Sequence, residues 1–293
     1  MNILLTGGTG YIGNVLTRML IAQGHEVRIL TRDKDVHRPF YHWNKNKIDE
    51  KVFKNLDGII HLAGASLMKR WSTNYKEEII RSRVNTANQL YEYVQKLNIS
   101  LKFFISAAGS SYYGQQTSAQ IYHENDALGK DFLAEVCQLW EAAAMQFKTA
   151  ETRVVCLRTP LVISKEGPSF QLMKSPTSKG VGACLGSGNQ WIPWIHLEDL
   201  CRIYVEACTN TTYKGAVNVV APDMVTHQQF MEQLAEAYQT KIYLPNIPSF
   251  LVKFAMGEKA SLILEGSRLS NEKLQQLGFQ FQYPTLKSFF KEL

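Results

Sequence analysis

Residues 2–13, NILLTGGTGYIG, decide the fold of this chain. The run from Asn2 to Thr6 is short, apolar and ends at glycines, which is typical of a buried strand. From Ile12 to Gln23 the apolar residues recur at helical spacing, and Val27 to Leu30 repeats the strand signal. A strand, a glycine-rich turn, a helix and a second strand in this order predict the start of a parallel sheet.

The glycines follow the spacing G-x-x-G-x-x-G, which predicts a dinucleotide-binding turn in this context. Gly7 can turn the chain sharply, Gly10 lets backbone amides approach a pyrophosphate, and Gly13 lets the helix pack closely on the strand. The helix N-terminus then points at the phosphates. The alternative is a turn with a purely structural role.

The residue at the end of the second strand chooses between the two nicotinamide cofactors, and Thr31 and Arg32 stand there. An acidic residue would bind the ribose 2′-hydroxyl, whereas Arg32 can pair with a 2′-phosphate and stack beside adenine. We therefore expect NADP. NAD is the alternative cofactor, because the next residue, Asp33, is acidic. A second alternative is that Arg32 is a solvated side chain that binds no ligand.

Strands and helices alternate through the rest of the N-terminal half. Strand signals recur at Gly58 to Leu62, Lys102 to Ser106 and Arg153 to Leu157, with helical periodicity at Tyr75 to Leu97 and Phe132 to Phe147. This alternation predicts an α/β fold, a doubly wound parallel sheet with helices on both faces.

The regular alternation of strand and helix signals ends after about Ile163. Glu166 to Gln190 shows no periodicity and is expected to form a long loop beside a site. Helices are expected at Leu197 to Cys208 and His227 to Tyr238, flanking a strand at Ala216 to Val220, and the last fifty residues read as mainly helical.

Two lobes are therefore expected. The first is a dinucleotide-binding domain over 1–163, to which segments around 195–222 cross back. The second is a smaller substrate-side lobe over 164–293, which ends in a small, mainly helical domain over 244–293.

Composition excludes several protein classes. Of 293 residues, 45% are hydrophobic and 20% charged, which is typical of a folded chain rather than a disordered one. The net charge of +6 is spread along the chain, so no nucleic-acid partner is expected. No apolar run reaches membrane-spanning length and no secretory signal is found, so we expect a cytoplasmic protein without a membrane partner. Five cysteines without a C-x-x-C pair predict reduced thiols and no metal site.

Several motifs narrow the class further. The chain resembles the extended short-chain dehydrogenase/reductase superfamily, and within it the atypical "epimerase family protein" branch, which is NAD-dependent epimerase/dehydratase-like and ends in a domain of unknown function. The motifs that carry this resemblance are TGGTGYIG at 6–13, HLAG at 61–64, KRW at 69–71, SR at 82–83, VNT at 84–86, YYG at 112–114, WE at 140–141, GSGNQWIPWIH at 186–196, MGE at 256–258 and LGF at 277–279.

This resemblance implies an oxidoreductase or epimerase with a nicotinamide cofactor bound along the first strands. The cofactor-binding residues that it implies are Gly7, Gly10, Tyr11, Ile12, Gly13, Thr31, Arg32, Leu62, Ala63, Gly64, Glu78 and Arg83. For Glu78 and Arg83 the alternative is a solvated pair on a helix, and Asn85 is expected to be structural.

The catalytic pair of the superfamily is missing. In the superfamily that this chain resembles, the pair is Tyr-x-x-x-Lys, and its lysine lowers the pKa of the tyrosine. The corresponding positions of this chain hold Leu133 and Cys137. Ala108 stands where a serine is usual. Two other Tyr-x-x-x-Lys matches, Tyr41 with Lys45 and Tyr283 with Lys287, lie outside the expected helix.

Replacement catalytic groups are expected in the loop after the strand signal at Lys102 to Ser106, with Tyr113 and Ser110 as the candidates. Cys137 is not expected to act as a base, because its side chain is short and its thiol lies among apolar residues. Other residues expected around the pocket are Arg70, Trp71, Trp191, Trp194, His196 and the 165–179 loop. For His196 a structural role is the alternative.

The leading hypothesis is an NADP-binding oxidoreductase or epimerase that acts on a small carbonyl or sugar-nucleotide-like substrate, in a chain that can form homo-oligomers. The alternative is an NADPH-binding sensor or regulatory protein without turnover, which the loss of both dyad residues favours.

Overall fold

The computed structural model describes residues 1–32, 39–44 and 47–293, so Asp33 and Lys45 lie outside the described residues. The strands are β1 Asn2–Thr6, β2 Glu26–Thr31, β3 Phe40–Asn44, β4 Lys47–Ile48, β5 Gly58–His61, β6 Phe103–Gly109, β7 Ile121–Tyr122, β8 Arg153–Thr159, β9 Leu161–Ile163, β10 Trp191–Ile192, β11 Trp194–His196, β12 Gly215–Asn218, β13 Val225–Thr226 and β14 Arg268–Leu269. The helices are α1 Tyr11–Ala22, α2 Thr73–Lys96, α3 Phe132–Met145, α4 Pro168–Thr177, α5 Leu197–Thr209, α6 His227–Ala237, α7 Ser249–Met256, α8 Ser261–Leu264, α9 Glu272–Gln276 and α10 Leu286–Phe290.

The central sheet runs in the order β12-β8-β6-β5-β1-β2-β3-β4. Its pairs are parallel except β3 with β4, which is antiparallel. From β1 the chain builds outward in one direction through β2 and β3, and in the other through β5, β6 and β8. Such a reversal opens a crevice at the carboxyl ends of the strands, where ligands bind in doubly wound folds.

Apolar cores cover both faces of the sheet. On one face α1 packs against α5, where Leu16 and Leu20 meet Leu200 beneath the strands. On the other face α2 packs against α3, and Leu90 and Ala143 share a buried cluster. The predicted doubly wound α/β class is confirmed, because helices do cover both sides of a largely parallel sheet.

One expected loop is partly helical. Within the segment predicted as loop over Glu166 to Gln190, the structure forms α4, Pro168–Thr177, so the prediction is wrong there. Pro168 stands at the start of the helix, where its fixed φ is favourable and its missing N–H costs nothing. Only Phe170 and Thr177 of this helix are fully buried, so its apolar period was too weak to detect.

The C-terminal segment consists of short helices fastened to the rest of the chain. The Asp199 carboxylate of α5 accepts hydrogen bonds from the backbone amides of Gln282 and Tyr283, at 2.9 and 2.8 Å. The Asp223 carboxylate accepts one from the amide of Leu286 at 2.8 Å. Among the described residues, no helix is both long and apolar enough to cross a membrane. The domain boundary near Ile163 stays a prediction, and β12 lies at the edge of the main sheet.

Candidate functional site

The three glycines of the first turn have different surroundings. Gly7 has φ +73°, and a Cβ placed on it would lie 2.9 Å from the amide nitrogen of Ala63. A Cβ on Gly13 would lie 2.2 Å from the carbonyl oxygen of Gly7. A Cβ on Gly10 would meet only that same oxygen, at 3.2 Å. Gly7 and Gly13 are therefore required by packing, whereas Gly10 leaves open space above the turn.

The N-terminus of α1 is available to an anion. Gly10 is the N-cap residue with φ −80° and ψ 176°, no side chain caps the helix, and its first turn carries no acidic residue. The first amides of a helix lack partners within it, and the helix dipole favours negative charge there. A pyrophosphate therefore fits this cradle, because the position that a side chain on Gly10 would fill is vacant.

The end of β5 meets the glycine turn through a buried histidine. His61 Nε2 lies 3.0 Å from the carbonyl oxygen of Arg83, and Nδ1 lies 2.8 Å from Thr6 Oγ1. Because that carbonyl can only accept, Nε2 carries the proton and Nδ1 accepts from Thr6. Thr6 Oγ1 in turn accepts from the amide of Ala63 at 3.2 Å. Burial lowers the pKa of His61 to about 4, so the ring is neutral at pH 7.

Arg83 lies beneath the loop that follows β5. Its guanidinium donates to the carbonyl oxygens of Ile79 at 3.0 Å and Ala65 at 3.1 Å, and it stacks 5.0 Å from the Trp140 ring. A Cβ on Gly64 would lie 2.9 Å from its Cζ. Burial lowers the pKa of Arg83, although this side chain stays charged at any ordinary pH. Arg83 thus holds the 63–65 loop in place.

The other predicted cofactor residues lie around the same edge. Thr31 is buried at the end of β2, and Arg32 is exposed directly after it. Tyr11 donates from its hydroxyl to Ser164 Oγ at 2.7 Å, which links the turn to the chain after β9. Ile12 packs into the core beneath α1. Glu78 pairs with Arg81 on the surface of α2 and not with Arg83. Their cofactor roles stay predictions.

The positions of the missing dyad are closed by packing. Leu133 and Cys137 are both buried on α3, and a Cβ on Gly109 would lie 2.8 Å from Cys137 Sγ. Burial raises the pKa of the Cys137 thiol to about 12. A protonated, enclosed thiol is a poor base and nucleophile.

Tyr113 belongs to a buried network. Its hydroxyl donates to Asn218 Oδ1 at 2.7 Å and accepts from Arg158 Nη1 at 2.8 Å. Arg158 also forms a bidentate pair with Glu141, at 2.7 and 2.9 Å, and its guanidinium lies 3.5 Å from the Tyr112 ring centroid. Burial raises the pKa of Tyr113 to about 12. Its catalytic role stays a prediction, and this network favours a structural one.

Ser110 is less enclosed. It begins the 3₁₀ turn Ser110–Tyr113 directly after β6, and its side chain is half-buried. The next residue, Ser111, accepts from Gln115 Nε2 at 2.7 Å through its hydroxyl. The other catalytic candidate therefore lies at the carboxyl edge of the sheet, where substrates of this fold class bind.

The aromatic residues of the 191–196 motif make structural contacts with distant parts of the chain. Trp194 is fully buried and donates to the carbonyl oxygen of Asp223 at 3.0 Å. Trp191 donates to that of Ser118 at 3.0 Å. His196 accepts from the amide of Glu198 at 3.3 Å, and burial lowers its pKa. These contacts favour the structural alternative for His196.

Sequence reasoning missed the ion pair of Arg158 and Glu141. The motif WE at 140–141 was recognised, but its partner Arg158 follows 17 residues later on β8. An arginine directly after the apolar run 154–157 was the available signal, because a buried charge requires a partner. All five cysteines are free and buried.

A glycine cradle at the point where a doubly wound sheet reverses defines a nucleotide-binding α/β protein. The chain belongs to the NAD dependent epimerase/dehydratase family, whose model matches residues 3–220, and residues 247–293 match a domain of unknown function, DUF1731. The resemblance inferred from the motifs is thereby confirmed.

Similar proteins cover almost the whole chain. An epimerase family protein of Staphylococcus aureus (strain MRSA252) is 33% identical over 294 residues, covering 99% of this chain and 98% of its own. The crystal structure of human epimerase family protein SDR39U1 (isoform 2) with NADPH has a TM-score of 0.90 at 29% identity, covering 100% of this chain and 98% of that one. A nucleoside-diphosphate sugar epimerase from Corynebacterium glutamicum has a TM-score of 0.79 at 30% identity, covering 97% of this chain and 56% of that one.

Proposed function

We propose that this chain binds NADPH and catalyses hydride transfer to a small carbonyl or sugar-nucleotide-like substrate. The observation that carries the proposal is the open glycine cradle, where the uncapped N-terminus of α1 meets the end of β5. Arg32 is exposed at the end of β2, where a 2′-phosphate would find it. The human relative SDR39U1 was crystallised with NADPH, which supports the same choice of cofactor.

When bound, the nicotinamide cofactor would supply the hydride for a substrate carbon. The chain itself must hold the substrate oxygen and manage its proton. In a reduction that oxygen gains negative charge, and a hydroxyl donor stabilises it. Ser110 is the candidate that the geometry favours, because it is half-buried at the carboxyl edge of β6 and begins the turn there. We assign it as the donor, with water replacing its proton.

A second candidate function rests on the closed dyad positions. Leu133 and Cys137 are buried, and the Tyr113 hydroxyl already has two partners. A chain that binds NADPH tightly and reacts with nothing would act as a sensor of the cofactor. In that case binding would change the conformation or the partners of the protein, without consuming NADPH.

A two-stage experiment separates these functions. Calorimetric titration with NADPH tests the cradle, and mixing the complex with a panel of carbonyl compounds and sugar nucleotides tests transfer through the loss of nicotinamide absorbance. We expect binding and slow oxidation by at least one compound class. Binding without oxidation across the panel would favour the sensor, and absence of binding would refute both.

A further inference from the structure

An apolar surface covers the start of the C-terminal domain. Its most exposed members are Phe254, Tyr243 and Phe250, with 92%, 74% and 68% of their surface accessible. We call this the α7 surface, and it comprises Tyr243, Leu244, Ile247, Phe250, Leu251 and Phe254. All six lie within twelve consecutive residues, and exposed large apolar groups that form a patch are typical of an interaction site in a folded protein.

Helix α7 contacts the protein through one narrow side. Val252 is its fully buried residue, whereas Phe250, Leu251 and Phe254 all point to solvent. Phe250 and Phe254 lie one helical turn apart, so their rings project from the same side of the helix. Lys253 is exposed between them. The helix therefore presents aromatic and aliphatic groups beside a positive charge.

The surroundings of this surface are rich in lysine. Neither 167–197 nor 237–257 contains an acidic residue, and together they carry Lys174, Lys179, Lys241 and Lys253. The two segments touch, because Thr240 Oγ1 donates to the carbonyl oxygen of Thr177 at 3.0 Å.

Few carboxylates offset these charges. Glu232 and Glu236 of α6 line a cavity of about 620 Å³ beside Lys241 and Leu244. Glu258, the first acidic residue after α7, pairs with Lys76 of α2. The two contacting segments thus carry four lysines and no carboxylate of their own, against the two carboxylates of α6 that line the cavity.

We propose that the α7 surface docks onto an anionic phospholipid bilayer, with Phe250 and Phe254 entering the headgroup region. Aromatic and leucine side chains beside lysines are the composition of interfacial helices, and each lysine near an anionic surface strengthens the attraction. The protein would lie on the membrane without spanning it. This proposal differs from the expectation from the sequence that the chain has no membrane partner.

A second copy of the chain fits this surface less well. In a symmetric dimer the same patch faces itself, so the lysines of one copy would be brought close to the lysines of the other. Lysine is also depleted from the cores of protein interfaces. The charge of the surface therefore favours an anionic occupant.

Cosedimentation of the full chain with lipid vesicles tests the proposal. We expect binding to vesicles that contain phosphatidylglycerol, weak binding to pure phosphatidylcholine, and release at high salt, because surface charges are screened. The double variant Phe250→Ser with Phe254→Ser should lose at least about tenfold in partitioning. Lys241→Glu with Lys253→Glu should lose a similar amount on anionic vesicles alone.

A matched control is Ile21→Ser on α1, which removes an apolar side chain that is 52% exposed outside the α7 surface. Circular dichroism and NADPH titration show whether each variant is folded. Equal sedimentation of the folded phenylalanine variant and the unmodified chain would overturn the proposal, as would no binding to anionic vesicles. A dimer in light scattering that the phenylalanine variant dissociates would assign the surface to a second copy and overturn it too.

Discussion

The Arg83 guanidinium donates a hydrogen bond to the carbonyl oxygen of Ala65 at 3.1 Å and so joins α2 to the loop that leaves β5. This loop contains Gly64, whose missing side chain lets the guanidinium approach. The buried charge lies against the Trp140 ring, which adds a cation–π contact. Arg83 therefore fixes the loop that is predicted to form one wall of the cofactor groove.

Replacing Arg83 with methionine should weaken both the fold and cofactor binding. The Ala65 carbonyl would lose the guanidinium as its hydrogen-bond donor, which should lower the free energy of unfolding by about 1–3 kcal/mol. Urea titrations measure this loss. We also expect NADPH affinity to fall about tenfold as the 63–65 loop loosens, an effect worth about 1.4 kcal/mol. Arg81→Met is the control, because Arg81 is exposed and pairs only with Glu78 among the described residues. Equal losses in the two variants would contradict this role.

Arg32 should set the cofactor preference. A charge-assisted contact to the 2′-phosphate is worth about 1.5–3 kcal/mol, so NADPH should bind more tightly than NADH and Arg32→Ala should erase most of the difference. Calorimetric titration of both cofactors measures this. Arg18→Ala, an exposed arginine on α1, controls for the loss of positive charge. An unmodified chain with equal affinity for the two cofactors would show that Arg32 has no such role.

The glycine turn predicts two opposite outcomes from two similar changes. Gly10→Val should leave the chain folded, because the new Cβ meets only the Gly7 carbonyl oxygen at 3.2 Å, but should abolish binding by filling the pyrophosphate space. Gly13→Ala should instead destabilise the fold, since its Cβ would lie 2.2 Å from that oxygen. Overpacking of this kind costs about 1–3 kcal/mol. Circular dichroism melts and NADPH titration of both variants distinguish the effects, and normal binding by Gly10→Val would reduce the turn to a structural feature.

Local patterns predicted the fold and the family well. Apolar periodicity located β1, α1, α2 and α3 to within a few residues, since each buries a full stripe or strand. Helix α4 was not predicted from the sequence, because it buries only two residues completely and so shows little apolar periodicity. The glycine turn was recognisable because its glycine spacing is local in sequence, although part of the packing around Gly7 comes from the distant residue Ala63.

The rest of the site depends on contacts between distant segments. Tyr113 is a catalytic candidate from sequence because it belongs to a loop that follows a strand, but its partners Asn218 and Arg158 lie 105 and 45 residues away. Similarly, the exposure of Phe250 and Phe254 follows from what α7 fails to pack against, which no local pattern reports. A single sequence shows the spacing of residues, whereas their burial depends on how the helices pack against the sheet.

The buried histidines should make stability depend on pH. Burial lowers the pKa values of His61 and His227 from 6.5 to about 4. Below pH 6.5 the unfolded chain gains protons that the native chain does not, so stability is complete above this value and falls as the pH drops toward 4. Each histidine should cost about 2 kcal/mol of unfolding free energy at about pH 5. Urea titrations across this range measure the slope, and His61→Asn should reduce it. An unchanged slope in that variant would show that His61 is not responsible.

The proton donor should be Ser110 rather than Tyr113 or Cys137. Once a substrate is found, the single-turnover rate of hydride transfer should be measured in the variants Ser110→Ala, Tyr113→Phe and Cys137→Ala. The Ser110→Ala variant should transfer hydride about a hundredfold more slowly, because it lacks the hydroxyl that stabilises the developing oxyanion. Tyr113→Phe should mainly destabilise the fold, by about 1–3 kcal/mol, because Asn218 loses a buried donor. Cys137→Ala should leave the rate nearly unchanged, since burial keeps the thiol protonated with a pKa of about 12. A hundredfold loss in Tyr113→Phe at unchanged stability would instead return the catalytic role to the tyrosine, and a loss in Cys137→Ala would refute the assignment of Cys137 as inert.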